Sequence, residues 1–297
     1  RSLESIPETP QTRIRRQRSE HYSIKHIRWL DGGRLRSTPI LTQNANGPCP
    51  LLALVNALIL STPDNESTAL FSTLETRETI SLGLLLDAVF DELMSGRRNS
   101  AGNLPDVSEL YAFLLALHTG MNVNPRFVPP PLIQAGTFEQ TQEMKLYATF
   151  GIPLIHGWLP APHEAVFKAF DRSAPTYDAA QTLPFAEPEL EHKLNTEGLN
   201  GQEQQLYQDI QTIKDFLSAW PTQLTDHGRD VLSNILQPGE VAILFRNDHF
   251  STIYREPLGG ALMTLVTDAG YASHDEIVWE SLVDVNGAAS ELFSGDF

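Results

Sequence analysis

Between residues 50 and 60 the chain reads Pro-Leu-Leu-Ala-Leu-Val-Asn-Ala-Leu-Ile-Leu, an apolar run broken only by Asn56 and closed by Ser61-Thr62-Pro63. With helix-favouring residues and no polar face, it predicts a buried helix over 50–60. Two shorter runs precede it. Residues 22–30 partly alternate and end at Asp31-Gly32-Gly33, which predicts a strand and a turn. Residues 38–42 form a second strand-like run that leads into the turn formers Gln43-Asn44-Ala45-Asn46-Gly47-Pro48. Helical spacing recurs at 79–94 with Thr79 as cap, at 106–118 with Asp106 or Ser108 as cap, at 138–149 and at 201–219, while 95–105 predicts an exposed loop. The C-terminal third changes period: 241–245, 249–254 and 261–267 are β-rich runs separated by short polar or Gly-containing turns, and they predict an antiparallel meander. Helices ahead of a sheet predict an α+β fold.

Composition adds exclusions. The chain has 297 residues, 41% apolar and 20% charged, which suffices for a large core. A single Cys excludes an intramolecular disulfide and any zinc site that needs two thiolates, and it makes a reducing compartment, cytoplasm or nucleus, the expected location. No apolar stretch approaches the roughly 20 residues of a bilayer span, so no membrane insertion is expected. The opening segment is polar, unlike a signal peptide, and starts at Arg1 rather than Met, so the chain is read as a fragment. Net charge is −16, unevenly spread: residues 1–36 carry nine Lys/Arg against four acids, and the remainder carries −21. Such a body repels nucleic acid and favours a basic or neutral protein partner. Residues 1–21 read as a disordered basic arm, lacking the helical periodicity and aromatics of a nucleic-acid-binding element.

The one cysteine lies between two prolines, after an Asn-Gly turn and directly before the apolar helix. At a helix N-terminus the dipole and unpaired N–H groups favour a thiolate, so Cys49 is a candidate nucleophile; the bland alternative is a small buried apolar residue. Gln43, six positions earlier, has the separation at which papain-like hydrolases place a side-chain donor for the oxyanion, beside the Cys backbone N–H. Among nine His, no pair has metal-ligand spacing backed by carboxylates, so neither a metal nor a cofactor is expected. His249 stands out because it opens the middle run of the meander just after a polar turn, where a strand-borne imidazole projects into a cleft. Asp268, at the end of the following run, is either an ordinary turn residue or a group that orients His249.

The string from Gln43 to Ala53, Gln-Asn-Ala-Asn-Gly-Pro-Cys-Pro-Leu-Leu-Ala, resembles the Cys-loop signature of the MINDY family of deubiquitinases, and 244–252 resembles its His segment. Blocks at 118–124, 155–159, 223–228, 265–271 and 278–282 continue the likeness in order, so it covers roughly 22–287, with 288–297 left as a tail. The resemblance implies a papain-like cysteine protease fold, in which a helix-borne Cys packs against an antiparallel sheet carrying the His. It implies an isopeptidase for polyubiquitin that prefers lysine-48-linked chains (ubiquitin's numbering) and works as a monomer without cofactor. Carried over by position, Cys49 is the nucleophile, His249 the general base and acid, Gln43 the oxyanion donor, and Trp158, Tyr177 and Phe245 contact ubiquitin. The alternative reading of Trp158 and Phe245 is as core aromatics. The Pro- and acid-containing stretch 160–200 departs from the family pattern, and no amphipathic ubiquitin-interacting helix of the kind some members append is found.

Overall fold

The computed structural model describes residues 9–45, 47, 49–98 and 104–297. Strands β1 (His21–Asp31) and β2 (Arg34–Thr42) form a hairpin around Gly32-Gly33, both left-handed with φ of 56° and 87°, as a two-residue turn matching strand twist requires. Tyr22, Ile24, Ile27 and Trp29 of β1 are buried, and the short β3 (Thr79–Ser81) pairs with its start, giving the order β2-β1-β3. The second sheet runs in order through β4 (Leu154–His156), β5 (Val241–Arg246), β6 (His249–Arg255), β7 (Leu262–Leu265), β8 (Trp279–Ser281) and β9 (Leu292–Phe293). All its pairs are antiparallel except β4 with β5. The meander is thus as expected over β5–β7, and β4 adds a parallel strand whose three residues are too few to show a period.

Helix α2 (Pro50–Leu60) is buried along its whole length and packs on β2, β5 and β6. Two polar contacts clamp it. Asn56 Oδ1 accepts from Leu41 N at 2.7 Å and its Nδ2 donates to Leu41 O at 3.0 Å, satisfying the open side of edge strand β2. Thr252 Oγ1 donates to Ala53 O at 3.0 Å and so joins β6 to the first turns of α2. An outer layer follows from α3 (Ala69–Glu75), α4 (Leu82–Met94), α5 (Val107–Leu117) and α6 (Gln142–Tyr147). The expected helix over 79–94 is therefore strand β3 followed by α4, with Ser81 rather than Thr79 as cap. Of the loop expected over 95–105, residues 99–103 lie outside the described residues.

Helices α7 (Ala165–Ser173), α8 (Tyr177–Thr182) and α10 (Gly201–Ala219) enclose a smaller core in which Phe127 stacks on Phe170 at 4.2 Å and meets Trp158 edge-on at 5.0 Å, and α9 (Glu187–Thr196) packs on α10. Helix α11 (Asp226–Ile235) lies against β4, where Gly228 meets Gly157 so closely that a Cβ on Gly228 would fall 1.7 Å from the Gly157 carbonyl oxygen. Among the described residues no helix is long and apolar enough to cross a membrane.

Both ends depart from the sequence reading. The described part of the segment expected as a disordered arm forms α1 (Pro10–Arg18), with Thr9 as cap and Pro10 at the first position. Arg18 fastens it, its guanidinium 5.7 Å over Tyr111 and 3.5 Å from Asp87. The 288–297 tail is integral: β9 pairs with β8, Gly295 O accepts from Leu30 N at 2.7 Å, and Phe297 stacks against Trp279 and Tyr254. Partners outside each segment, Asp87 and Tyr111 for α1 and Leu30, Tyr254 and Trp279 for the tail, supply the contacts that these segments cannot provide for themselves.

Candidate active site

Cys49 is the N-cap of α2, with extended backbone (φ −139°, ψ 157°) and a sulfur that accepts from Leu52 N at 3.4 Å. Pro50 takes the first helical position, where no N–H is needed. The thiol is 5% exposed, and burial pushes its pKa up; hydrogen bonds to the sulfur pull the other way. Its other partner is the Tyr22 hydroxyl at 3.4 Å. That hydroxyl is 2.7 Å from His118 Nδ1, and His118 Nε2 is 2.7 Å from Glu20 Oε2. Of the turn before Cys49, Gly47 N donates to Asn44 O at 3.0 Å, and Asn46 and Pro48 lie outside the described residues.

His249 is the first residue of β6. The turn before it is Asn247-Asp248, both left-handed (φ 54° and 57°), a conformation that short amide and carboxylate side chains tolerate. Gln223 pins that turn: its Nε2 donates to Asp248 Oδ1 at 2.8 Å and its Oε1 accepts from Asp248 N at 2.7 Å. The imidazole is exposed and forms part of the wall between two recesses. One, of about 290 Å³, is lined by Pro50, Met121, Trp158, Tyr177, Phe245 and His249. The other, of about 560 Å³, includes Gln43, Arg246, His249, Ser251, Thr267 and Asp268.

All seven residues singled out in the sequence therefore sit at or beside these recesses, but not all are joined. Trp158, Tyr177 and Phe245 share the first recess with His249 and also pack as core aromatics, Trp158 5.4 Å from Tyr177 and Phe245 5.2 Å from Phe250. Gln43 is tied to Thr267, Nε2 to Oγ1 at 3.4 Å and backbone N to O at 2.8 Å. Asp268 starts the 3-10 turn Ala269–Tyr271, and Lys25 anchors the loop after it by donating to the carbonyls of Tyr271, His274 and Ile277. Among the described residues no hydrogen bond links Asp268 to His249, or His249 to Cys49. Sequence reasoning missed Tyr22, His118 and Glu20, since nothing local marks contacts that span 27 and 96 residues.

Chemically the arrangement offers a thiol at a helix N-terminus, an imidazole on an adjoining strand and an amide donor on the segment that enters the cysteine turn. A family model described as MINDY deubiquitinase matches residues 20–297. The chain belongs to the MINDY deubiquitinase family. Among MINDY relatives, it is 36% identical over 262 residues to the ubiquitin carboxyl-terminal hydrolase MIY1 of Saccharomyces cerevisiae, covering 87% of this chain and 68% of that protein. It is 31% identical over 279 residues to human MINDY-2 (92% of this chain, 40% of that protein) and 30% over 289 residues to human MINDY-1 (96% and 55%). Both human relatives also carry the name ubiquitin carboxyl-terminal hydrolase, and the chain spans only about half of their length.

Proposed function

We propose that the protein is a papain-like cysteine isopeptidase that cleaves lysine-48-linked polyubiquitin through a thioester on Cys49. The observation that carries this reading is Cys49 at the N-cap of a helix packed on the strand that His249 opens, in a chain of the MINDY family. His249 takes the thiol proton, and the sulfur attacks the carbonyl carbon of the C-terminal glycine of one ubiquitin where it is joined to a lysine of the next. Gln43 Nε2 and the Cys49 backbone N–H hold the oxyanion, and His249 returns its proton to the departing lysine amine. Water then hydrolyses the thioester, with His249 again as base.

Trp158, Tyr177 and Phe245 form the apolar wall that receives the distal ubiquitin, on the same recess as His249. Asp268, on the opposite recess, is the candidate to steady the imidazole once substrate closes the site. The linkage preference rests on the family likeness, and the −21 charge beyond residue 36 suits a ubiquitin surface that mixes apolar and basic groups.

A second reading, a silent ubiquitin-chain-binding protein of the same fold, draws on the Cys49 thiol being bonded to Tyr22 rather than to His249. A ubiquitin with a C-terminal electrophile separates the two. Covalent capture that disappears in Cys49→Ala supports the enzyme; binding without capture supports the silent protein.

A further inference from the structure

Three side chains behind Cys49 take no part in that reaction and line neither recess, yet their hydrogen bonds form a single line. Glu20 Oε2 lies 2.7 Å from His118 Nε2, His118 Nδ1 lies 2.7 Å from the Tyr22 hydroxyl, and that hydroxyl lies 3.4 Å from Cys49 Sγ. Tyr22 and His118 are buried, while Glu20 is held in place through its backbone, its carbonyl accepting from Leu82 N at 2.7 Å at the start of α4.

The direction of the line follows from its charged end. A carboxylate only accepts, so the His118 nitrogen facing Glu20 carries a proton. In the neutral ring the other nitrogen, Nδ1, is then a bare acceptor and takes the Tyr22 O–H. Tyr22 has one O–H, already given to His118, so its oxygen meets Cys49 with lone pairs. The donor in the last contact is therefore the S–H of Cys49, and the sulfur is held as a thiol, the unreactive form.

We propose that Glu20 is a positioning residue for the nucleophile: by fixing the His118 proton on Nε2 it turns the Tyr22 hydroxyl away from the sulfur and keeps Cys49 a thiol in the substrate-free protein. This rests on Cys49 being the nucleophile. Glu20→Gln removes the constraint, because an amide either donates to or accepts from Nε2. With the proton free to move to Nδ1, the Tyr22 O–H turns toward the sulfur and favours the thiolate.

The chain has one cysteine, so its alkylation by iodoacetamide reports on Cys49 alone. Glu20→Gln is expected to raise the alkylation rate of the free protein near neutral pH by at least about threefold, through a larger thiolate fraction. On a Tyr22→Phe background, where the line is already cut, the same substitution changes nothing further. An unchanged or lower rate in Glu20→Gln, or an equal rise on both backgrounds, overturns the proposal. Nitrogen NMR of the His118 ring in the unaltered protein gives a readout independent of any variant: a protonated Nε2 with a bare Nδ1 is expected, and a protonated Nδ1 overturns it. Neither measurement uses ubiquitin, so their failure is distinct from a failure of the isopeptidase reading, which chain cleavage by Cys49→Ala decides.

Discussion

Gln43 and His156 show how much single side chains carry here. Gln43 directly follows the last residue of β2, and it shares a recess with His249. Gln43→Ala is expected to lower the turnover of ubiquitin chains by on the order of 100-fold, the usual cost of one oxyanion donor, with little change in thermal stability. Steady-state kinetics beside a melting curve checks both, and unchanged turnover contradicts the role. His156 works through folding instead. It is fully buried, its Nε2 donates to Thr137 O at 2.9 Å and its Nδ1 accepts from Trp158 N at 3.2 Å, so both nitrogens are used by the neutral ring. Burial pushes its pKa down from the ordinary 6.5 to about 4. The unfolded chain therefore binds the proton first as pH falls. Stability from this group is complete above pH 6.5 and is lost progressively toward pH 4, up to about 3 kcal/mol. Urea unfolding across that window checks it, with a variant in which His156 is replaced by Phe expected to lose this part of the slope. Cys49, Gln43 and His249 were legible as candidates from residue type and spacing, whereas the Tyr22 and His118 contacts were not, because only folding brings those positions together.

At the scale of elements, legibility followed self-sufficiency. α2 and α10 were readable over 50–60 and 201–219, the first from an apolar run broken only by Asn56 and the second from helical spacing; in the structure a capping box of Asn200 with Glu203 starts α10. α7, α8 and α9 were not, since each buries only one or two side chains and is short; α7 and α8 hold their shape around Phe127, Trp158 and Phe216, and α9 leans on α10. β4 escaped for the same reason, being ordered by its parallel neighbour β5. The clamp between α2 and β2 allows a direct check. Asn56→Leu keeps the branched side-chain shape but strips Leu41 of both hydrogen-bond partners, and about 3 kcal/mol of stability is the expected loss. Chemical denaturation measures it; a neutral result would mean that the clamp does not hold the helix beneath Cys49 to the strand that leads into Gln43.

For the whole molecule, one chain order serves two ends. The three-stranded sheet and α2 bring in the cysteine, the six-stranded sheet brings in the histidine, and the C-terminal residues return to close the first sheet through Leu30 and Gly295. The free protein bonds the Cys49 thiol to Tyr22 and carries the exposed His249 imidazole on a recess wall, so the proposed reaction requires Cys49 to turn toward His249 when substrate arrives. The central claim is a Cys49-dependent cleavage of lysine-48-linked ubiquitin, and the most direct test is a panel of ubiquitin dimers of every linkage given to the parent protein and to Cys49→Ala. The expected result is cleavage of the lysine-48-linked dimer ahead of the others by the parent and of none by the variant; equal turnover by the two proteins, or an intact lysine-48-linked dimer and longer chains of that linkage with the parent, would contradict it.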